Sequence, residues 1–202
     1  MTAPLTRNRR RGLSLIETIL AIAIGAIAVV AVVGFYTSGT AANNRNEAQQ
    51  QLQHIVAEMQ TLYSSSATYG DGTANDITGP ASTAGIFPAG MVAVASASAP
   101  EVYNPWGGEV TVDEGDVAQT FTVTYNNVPN DACAKMIAGN SSGFGGNLCG
   151  IGVGDGSAPS GPVSTNGGTD NCQGSRPSIS ETDAISACSS TDSQNVITWW
   201  FQ

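Results

Sequence analysis

Few residues in this 202-residue chain are of types that do chemistry. The single histidine, His54, falls on the polar flank of a helical pattern and reads as a solvated helix residue. No Ser/His/Asp set, phosphate loop or close carboxylate pair accompanies it, so the residues frame no enzyme mechanism and no cofactor. The run Asp113-Glu114-Gly115-Asp116 is acidic enough to suggest calcium. It lacks the twelve-residue spacing of a calcium loop and reads as a solvated turn. Cys133, Cys149, Cys172 and Cys188 stand 16, 23 and 16 residues apart. Zinc would call for a CxxC pair or a neighbouring histidine, and neither is there, so no metal is expected. An even cysteine count in a glycine-rich, weakly charged exported region reads instead as two disulfides, with three pairings open.

The remaining chemistry is one of charge, at Glu17. Arg7, Arg9, Arg10 and Arg11 are followed by Gly12 and then by Leu13-Ser14-Leu15-Ile16-Glu17. Residues 18–36 carry neither a charge nor a proline. As a helix at ~1.5 Å per residue they would span roughly 28 Å, enough to cross a bilayer. A carboxylate at the margin of such a segment costs on the order of 2–3 kcal/mol unless it is paired. A secretory signal cut near residues 38–42, or a plain signal anchor, would share the basic and apolar parts. The apolar run is long for a signal core, and both readings leave Glu17 without a role.

The elements around these residues follow from pattern. Residues 42–63 have no proline or glycine, and Ala48, Leu52, Ile55, Val56, Met59, Leu62 and Tyr63 recur at helical steps. Together with the apolar run this predicts one helix of two halves, apolar all round and then amphipathic. Residues 64–100 read as loop and short irregular pieces. The stretch 104–112 is a turn feeding a strand, and 120–125 a second strand of an antiparallel hairpin. A short helix is expected from Asn130 as capping residue to Ile137, and another over 180–188. Residues 139–178 are too rich in glycine and serine to order by burial alone. The apolar 195–201 should be a strand in the middle of the sheet. Apart from the four N-terminal arginines, only Arg45, Lys135 and Arg176 oppose sixteen acidic residues. Such a surface repels nucleic acid, so no basic patch for it exists. The arginines at 7–11 fit the positive-inside rule.

A basic segment, a glycine, a small apolar start and a glutamate five residues after the glycine resemble the processing site of type IV prepilins. Asn104-Pro105-Trp106-Gly107-Gly108-Glu109, Ala132-Cys133 and Ala187-Cys188-Ser189-Ser190-Thr191-Asp192 extend that likeness. They resemble the type IVb branch, the PilS-like major pilins of bundle-forming and conjugative thin pili. The resemblance implies an α+β type IV pilin fold: a long N-terminal helix packed on an antiparallel sheet, with short helices and a disulfide-tied C-terminal region. It implies a leader at 1–12, a membrane and filament-core half-helix at 13–36, an amphipathic half at 37–65 and a head at 66–202. Within the head, 66–103 would connect helix to sheet and 104–202 would hold the sheet and the cysteines.

The same resemblance implies cleavage between Gly12 and Leu13 by a prepilin peptidase that also methylates Leu13. It assigns Glu17 to charge pairing with the Leu13 amine of an adjacent subunit, and Gly25 and Gly34 to helix melting. It pairs Cys133 with Cys188, leaving Cys149 with Cys172 as a nested bond. The implied partners are further copies of the chain, the peptidase, an inner-membrane assembly platform and minor pilins. The implied location is the inner membrane with a periplasmic head, then an extracellular pilus of a Gram-negative bacterium. Its use would be cell or surface attachment or conjugative mating-pair contact. A minor pilin or a pseudopilin of a type II secretion-like system is the alternative.

Overall fold

The computed structural model describes residues 15–66, 68–69, 75–115, 119–154, 162–164, 179–192 and 194–202, with the backbone alone at 140–142, 145 and 162–164. The leader, Gly12, Leu13, Asp116 and Cys172 lie outside these residues. Helix α1 is Leu15–Leu62, unbroken over 48 residues. The chain divides into two compact units, Met1–Ala42 and Asn43–Gln202.

In the second unit, Ala48, Leu52, Ile55, Val56 and Met59 form the buried stripe of α1, at the three- and four-residue steps that put side chains on one helix face. Gln51 joins them, its amide bonded to Glu47 one turn earlier at 3.2 Å. Leu62 was expected on this stripe but is half exposed. It is the last helical residue, where Ser64 turns its hydroxyl back onto the Thr61 carbonyl at 2.7 Å. The helix therefore ends at 62 rather than 65.

The sheet is built from β3 (Val110–Glu114), β4 (Phe121–Val128), β5 (Leu148–Gly154), β6 (Pro162–Ser164) and β7 (Asn195–Phe201), in the order β3-β4-β7-β5-β6. All neighbours are antiparallel, with Val123 opposite Trp199 and Phe121 opposite Phe201. β7 is central, as its apolar sequence requires. Alternation along the strands brings Val110, Val112, Phe121, Val123, Tyr125, Ile151, Ile197, Trp199 and Phe201 to the buried side, in one cluster with the α1 stripe. Aromatic rings tie this layer: Tyr63–Tyr69–Phe121–Phe201–Phe144 form a continuous series with centroids 4.7–5.4 Å apart. Tyr125 meets Trp199 edge-on at 5.4 Å, a geometry that adds to plain burial.

Four sequence expectations need correction. The connection after α1, expected as loop and short irregular pieces, contains regular elements. It holds α2 (Thr78–Thr83) and a small ladder of β1 (Val92–Val94) with β2 (Glu101–Val102). Asp113 and Glu114 finish β3 instead of forming a turn, because they pair with Thr122 and Phe121 of β4, and the chain at 75–77 adds backbone partners on their other side. Glu114 is buried and stands opposite Phe121.

Helix α3 is Asn130–Gly143, longer than the motif suggested. Its flank rests on α1, with the Gln49 amide 3.5 Å from where a Gly139 Cβ would be, and packing outweighs the poor propensity of glycine. Its N-cap is Pro129, without a side-chain bond. Asn130 instead donates to Ser190 O at 3.1 Å and accepts from the Asn195 amide at 2.7 Å. Finally, part of the glycine-rich stretch is β5, ordered because β7 offers an open edge and Leu148 and Ile151 enter the core. α4 (Glu181–Ala187) is capped by Ser180, which accepts from the Asp183 N–H at 3.2 Å.

The Asn-Pro-Trp-Gly-Gly stretch owes its conformation to one buried side chain. Asn104 Oδ1 accepts from the Trp106 and Gly108 N–H groups at 2.9 and 3.0 Å, and its amide donates to Asn126 O at 2.6 Å. Gly107 takes φ 74° within this turn, and Asn127 takes φ 57° at the bulge it meets in β4. A Cβ on Gly108 would overlap the Asn126 carbonyl and crowd the Asn127 side chain. Gly108→Ala is therefore expected to lower the unfolding free energy by about 1–3 kcal/mol. Urea unfolding of the full chain in detergent measures it, and an unchanged midpoint would contradict this account of the turn.

Candidate functional site

Two regions carry the residues singled out above: the first half of α1 and the cysteine-bearing C-terminal part of the second unit. From 15 to 36 every large apolar side chain of α1 is exposed, from Val33 at 55% to Phe35 at 81%. The 18-residue window in this helix has a mean hydropathy of 2.7 and none of it is buried within the chain. An uncovered surface of this extent marks contact with lipid or with other protein. Glu17 is exposed in the first turn. It is the sole charged residue between 15 and 36.

Gly25 and Gly34 interrupt this half, and a Cβ on either would meet no atom within 4 Å. Nothing among the described residues thus calls for glycine there. A cluster of hydroxyls that sequence reasoning overlooked follows Gly34. Thr37 bonds the Val33 and Gly34 carbonyls at 3.2 and 3.1 Å, Ser38 bonds Gly34 at 2.9 Å, and Thr40 bonds Tyr36 at 3.1 Å. Such back-bonding competes with the helix's own ladder and favours bending. The signal was present as Thr-Ser-Gly-Thr directly after a long apolar run.

In the second unit a disulfide joins Cys133, on α3, to Cys188, at the C-terminal end of α4. Both sulfurs are buried. Cys149, on β5, is also disulfide-bonded; the cysteine expected opposite it, Cys172, lies outside the described residues. His54 is exposed as expected, and its ring additionally donates from Nδ1 to Ile86 O at 3.2 Å. It thereby pins the connection after α2 to α1. Lys135 and Asp131, one turn apart on α3, form an ion pair at 3.8 Å with both side chains mostly exposed. Such a pair contributes little.

Four buried side-chain polar atoms have no hydrogen-bond partner among the described residues: Gln51 Oε1, Ser82 Oγ, Tyr125 Oη and Trp199 Nε1. Burial drives the Tyr125 hydroxyl far above its ordinary pKa. No group of three or more His, Cys, Asp or Glu suited to a metal occurs among the described residues.

The family described as "PilS N terminal" matches residues 42–199. The family described as "Prokaryotic N-terminal methylation motif" matches residues 7–33. Among solved structures, the crystal structure of TcpA, a type IV pilin from Vibrio cholerae El Tor biotype, is similar at 16% identity and a TM-score of 0.49. That alignment covers 79% of this chain and 99% of the other. No curated protein matches.

Proposed function

The chain belongs to the PilS family and is a type IV pilin, and from that premise we propose that it is the major subunit of a type IVb pilus. The observation that carries this reading is the apolar half of α1, exposed along its whole length and headed by one carboxylate, inside the stretch that matches the methylation motif. Prepilin peptidase cuts between Gly12 and Leu13 and Leu13 is methylated. Before assembly, residues 13–36 lie in the inner membrane of a Gram-negative cell with the head in the periplasm. The assembly platform, primed by minor pilins, then moves this helix from lipid into a bundle of identical helices. In both settings the apolar surface is covered.

Glu17 takes part by pairing with the Leu13 amine of a neighbouring copy, which neutralises two charges that would otherwise be buried alone. Gly25 and Gly34 let the helix loosen during that transfer. The acidic head faces water and makes cell-to-cell or surface contacts, including mating-pair contact in conjugation. The role is structural rather than enzymatic. Cys149 pairs with Cys172, tying the glycine-rich stretch as a second closed loop.

The test is the intact mass of protein sheared from cells, before and after reduction. The expected species begins at Leu13, is one methyl heavier than its sequence, and gains four hydrogens on reduction. A species beginning near Ala41, or an uncut chain confined to the membrane, would overturn the reading.

A further inference from the structure

β3 is one edge of the sheet, yet it is not bare. Residues 75–78 lie along it. The Ile77 N–H donates to Val112 O and the Glu114 N–H donates to Asn75 O, each at 2.9 Å. The Thr78 hydroxyl closes the far end, accepting from the Val112 N–H at 2.8 Å and bonding the Val112 carbonyl at 3.2 Å. Between these clips Asp76 and Asp113 stand directly opposite each other in an antiparallel bridge. The backbone bonds run between their flanking residues, so the two aspartates form the non-hydrogen-bonded kind of pair. That kind brings Cα atoms to about 4.5 Å and side chains closest together. Like charges so placed are destabilising.

The surroundings do little to offset this repulsion. Asp76 Oδ1 accepts from the Thr78 N–H at 2.8 Å, and Asp113 Oδ2 accepts from the Thr111 hydroxyl at 3.3 Å. From β4 the neutral Thr122 stands opposite Asp113. Glu114 follows on β3 but, by strand alternation, points to the other face. Among the described residues, Asp76 is the charge that acts on Asp113.

We propose that the Asp76–Asp113 pair is an acid-closed latch that sets how firmly residues 75–78 cover the β3 edge. With one carboxyl protonated the two side chains no longer repel, and the clip holds. With both charged it opens more often and uncovers a strand edge, a surface open to pairing with other chains. Burial, and then the Asp76 charge, push the Asp113 carboxyl up to about 6. A carboxyl raised in the closed state binds its proton more tightly there than in the open state. The stabilisation is therefore complete below the ordinary carboxylate range and is lost as pH rises through about 6. The latch is independent of the pilus reading.

Amide hydrogen exchange of the full chain in detergent tests it, with intrinsic rates corrected and the Val123 amide of β4 as internal reference. Protection of the Ile77 and Glu114 amides is expected to fall about tenfold between pH 5 and pH 7.5 in the wild type. Asp113→Asn should hold the acid-level protection at both values. Asp76→Asn, which removes the facing charge but leaves Asp113 buried, should make the fall smaller than in the wild type while keeping an oxygen for the Thr78 N–H. Equal wild-type protection at the two pH values would overturn the proposal. So would a fall in both variants as large as in the wild type.

Discussion

Replacing Cys133 and Cys188 together by alanine is expected to destabilise the folded chain by about 4 kcal/mol. The bond closes a loop with a sequence separation of 55, and chain-entropy arguments put the cost of leaving a loop of that size open at about that value. The structure shows where the loss should appear. α4 has seven residues, too few for a helix to persist on its own propensity. It is held by the Ser180 cap, by the buried Ala184, and by Cys188 bonded under α3.

Without the bond, α4 and residues 188–192 should exchange their amides first. The β4–β7 pairing, fastened by Val123 opposite Trp199 and its neighbours, should stay protected. Thermal unfolding of the double variant under non-reducing conditions should come about 10 °C lower than the wild type, on the scale expected for a chain of this size. A reductant alone is the weaker experiment, because it also opens the bond made by Cys149. A melting point within a degree or two of the wild type would mean that packing between α3 and α4 holds this region without the cross-link.

How far such features were legible beforehand depended on whether a local pattern carried them. The amphipathic half of α1 was readable because Ala48, Leu52, Ile55, Val56 and Met59 repeat at helical steps and all become buried. β7 was readable as central because five of its seven residues are large and apolar, leaving no face for water. β5 was not, since Gly150, Gly152 and Gly154 remove one side of the alternation that marks a strand. Only the edge of β7, supplied by the very end of the chain, tells Leu148 and Ile151 where to go.

Glu114 was misread for a related reason. Acidic residues beside a glycine usually turn, whereas the ladder with β4 runs on through Glu114 opposite Phe121, and the further backbone partner at Asn75 is remote in sequence. The Asp76–Asp113 bridge and the His54–Ile86 bond are equally invisible without the fold. Glu17 stood out for the opposite reason, because its surroundings are so uniform that one charge is conspicuous.

Removing that charge should have the largest functional effect. In the proposed filament, Glu17 of one copy meets the Leu13 amine of another inside a bundle of apolar helices. Taking away one partner leaves the other buried and uncompensated, at a cost of about 3–5 kcal/mol per subunit. That is more than about a hundredfold in the constant for adding a subunit. Cells making Glu17→Ala should therefore still insert, cleave and fold the chain, yet release almost no sheared surface protein. Glu17→Gln should behave the same, because it keeps the shape and hydrogen-bonding ability but not the charge. Glu17→Asp, with the charge on a shorter arm, should retain partial assembly.

The head reports separately on folding. Glu17 belongs to the first compact unit, while the disulfide and the sheet belong to the second, so the unfolding midpoint of the head should be unchanged in all three variants. Surface protein at wild-type level from Glu17→Ala, with that midpoint preserved, would show that subunits join through the apolar surface of α1 alone and that the carboxylate serves some step before assembly.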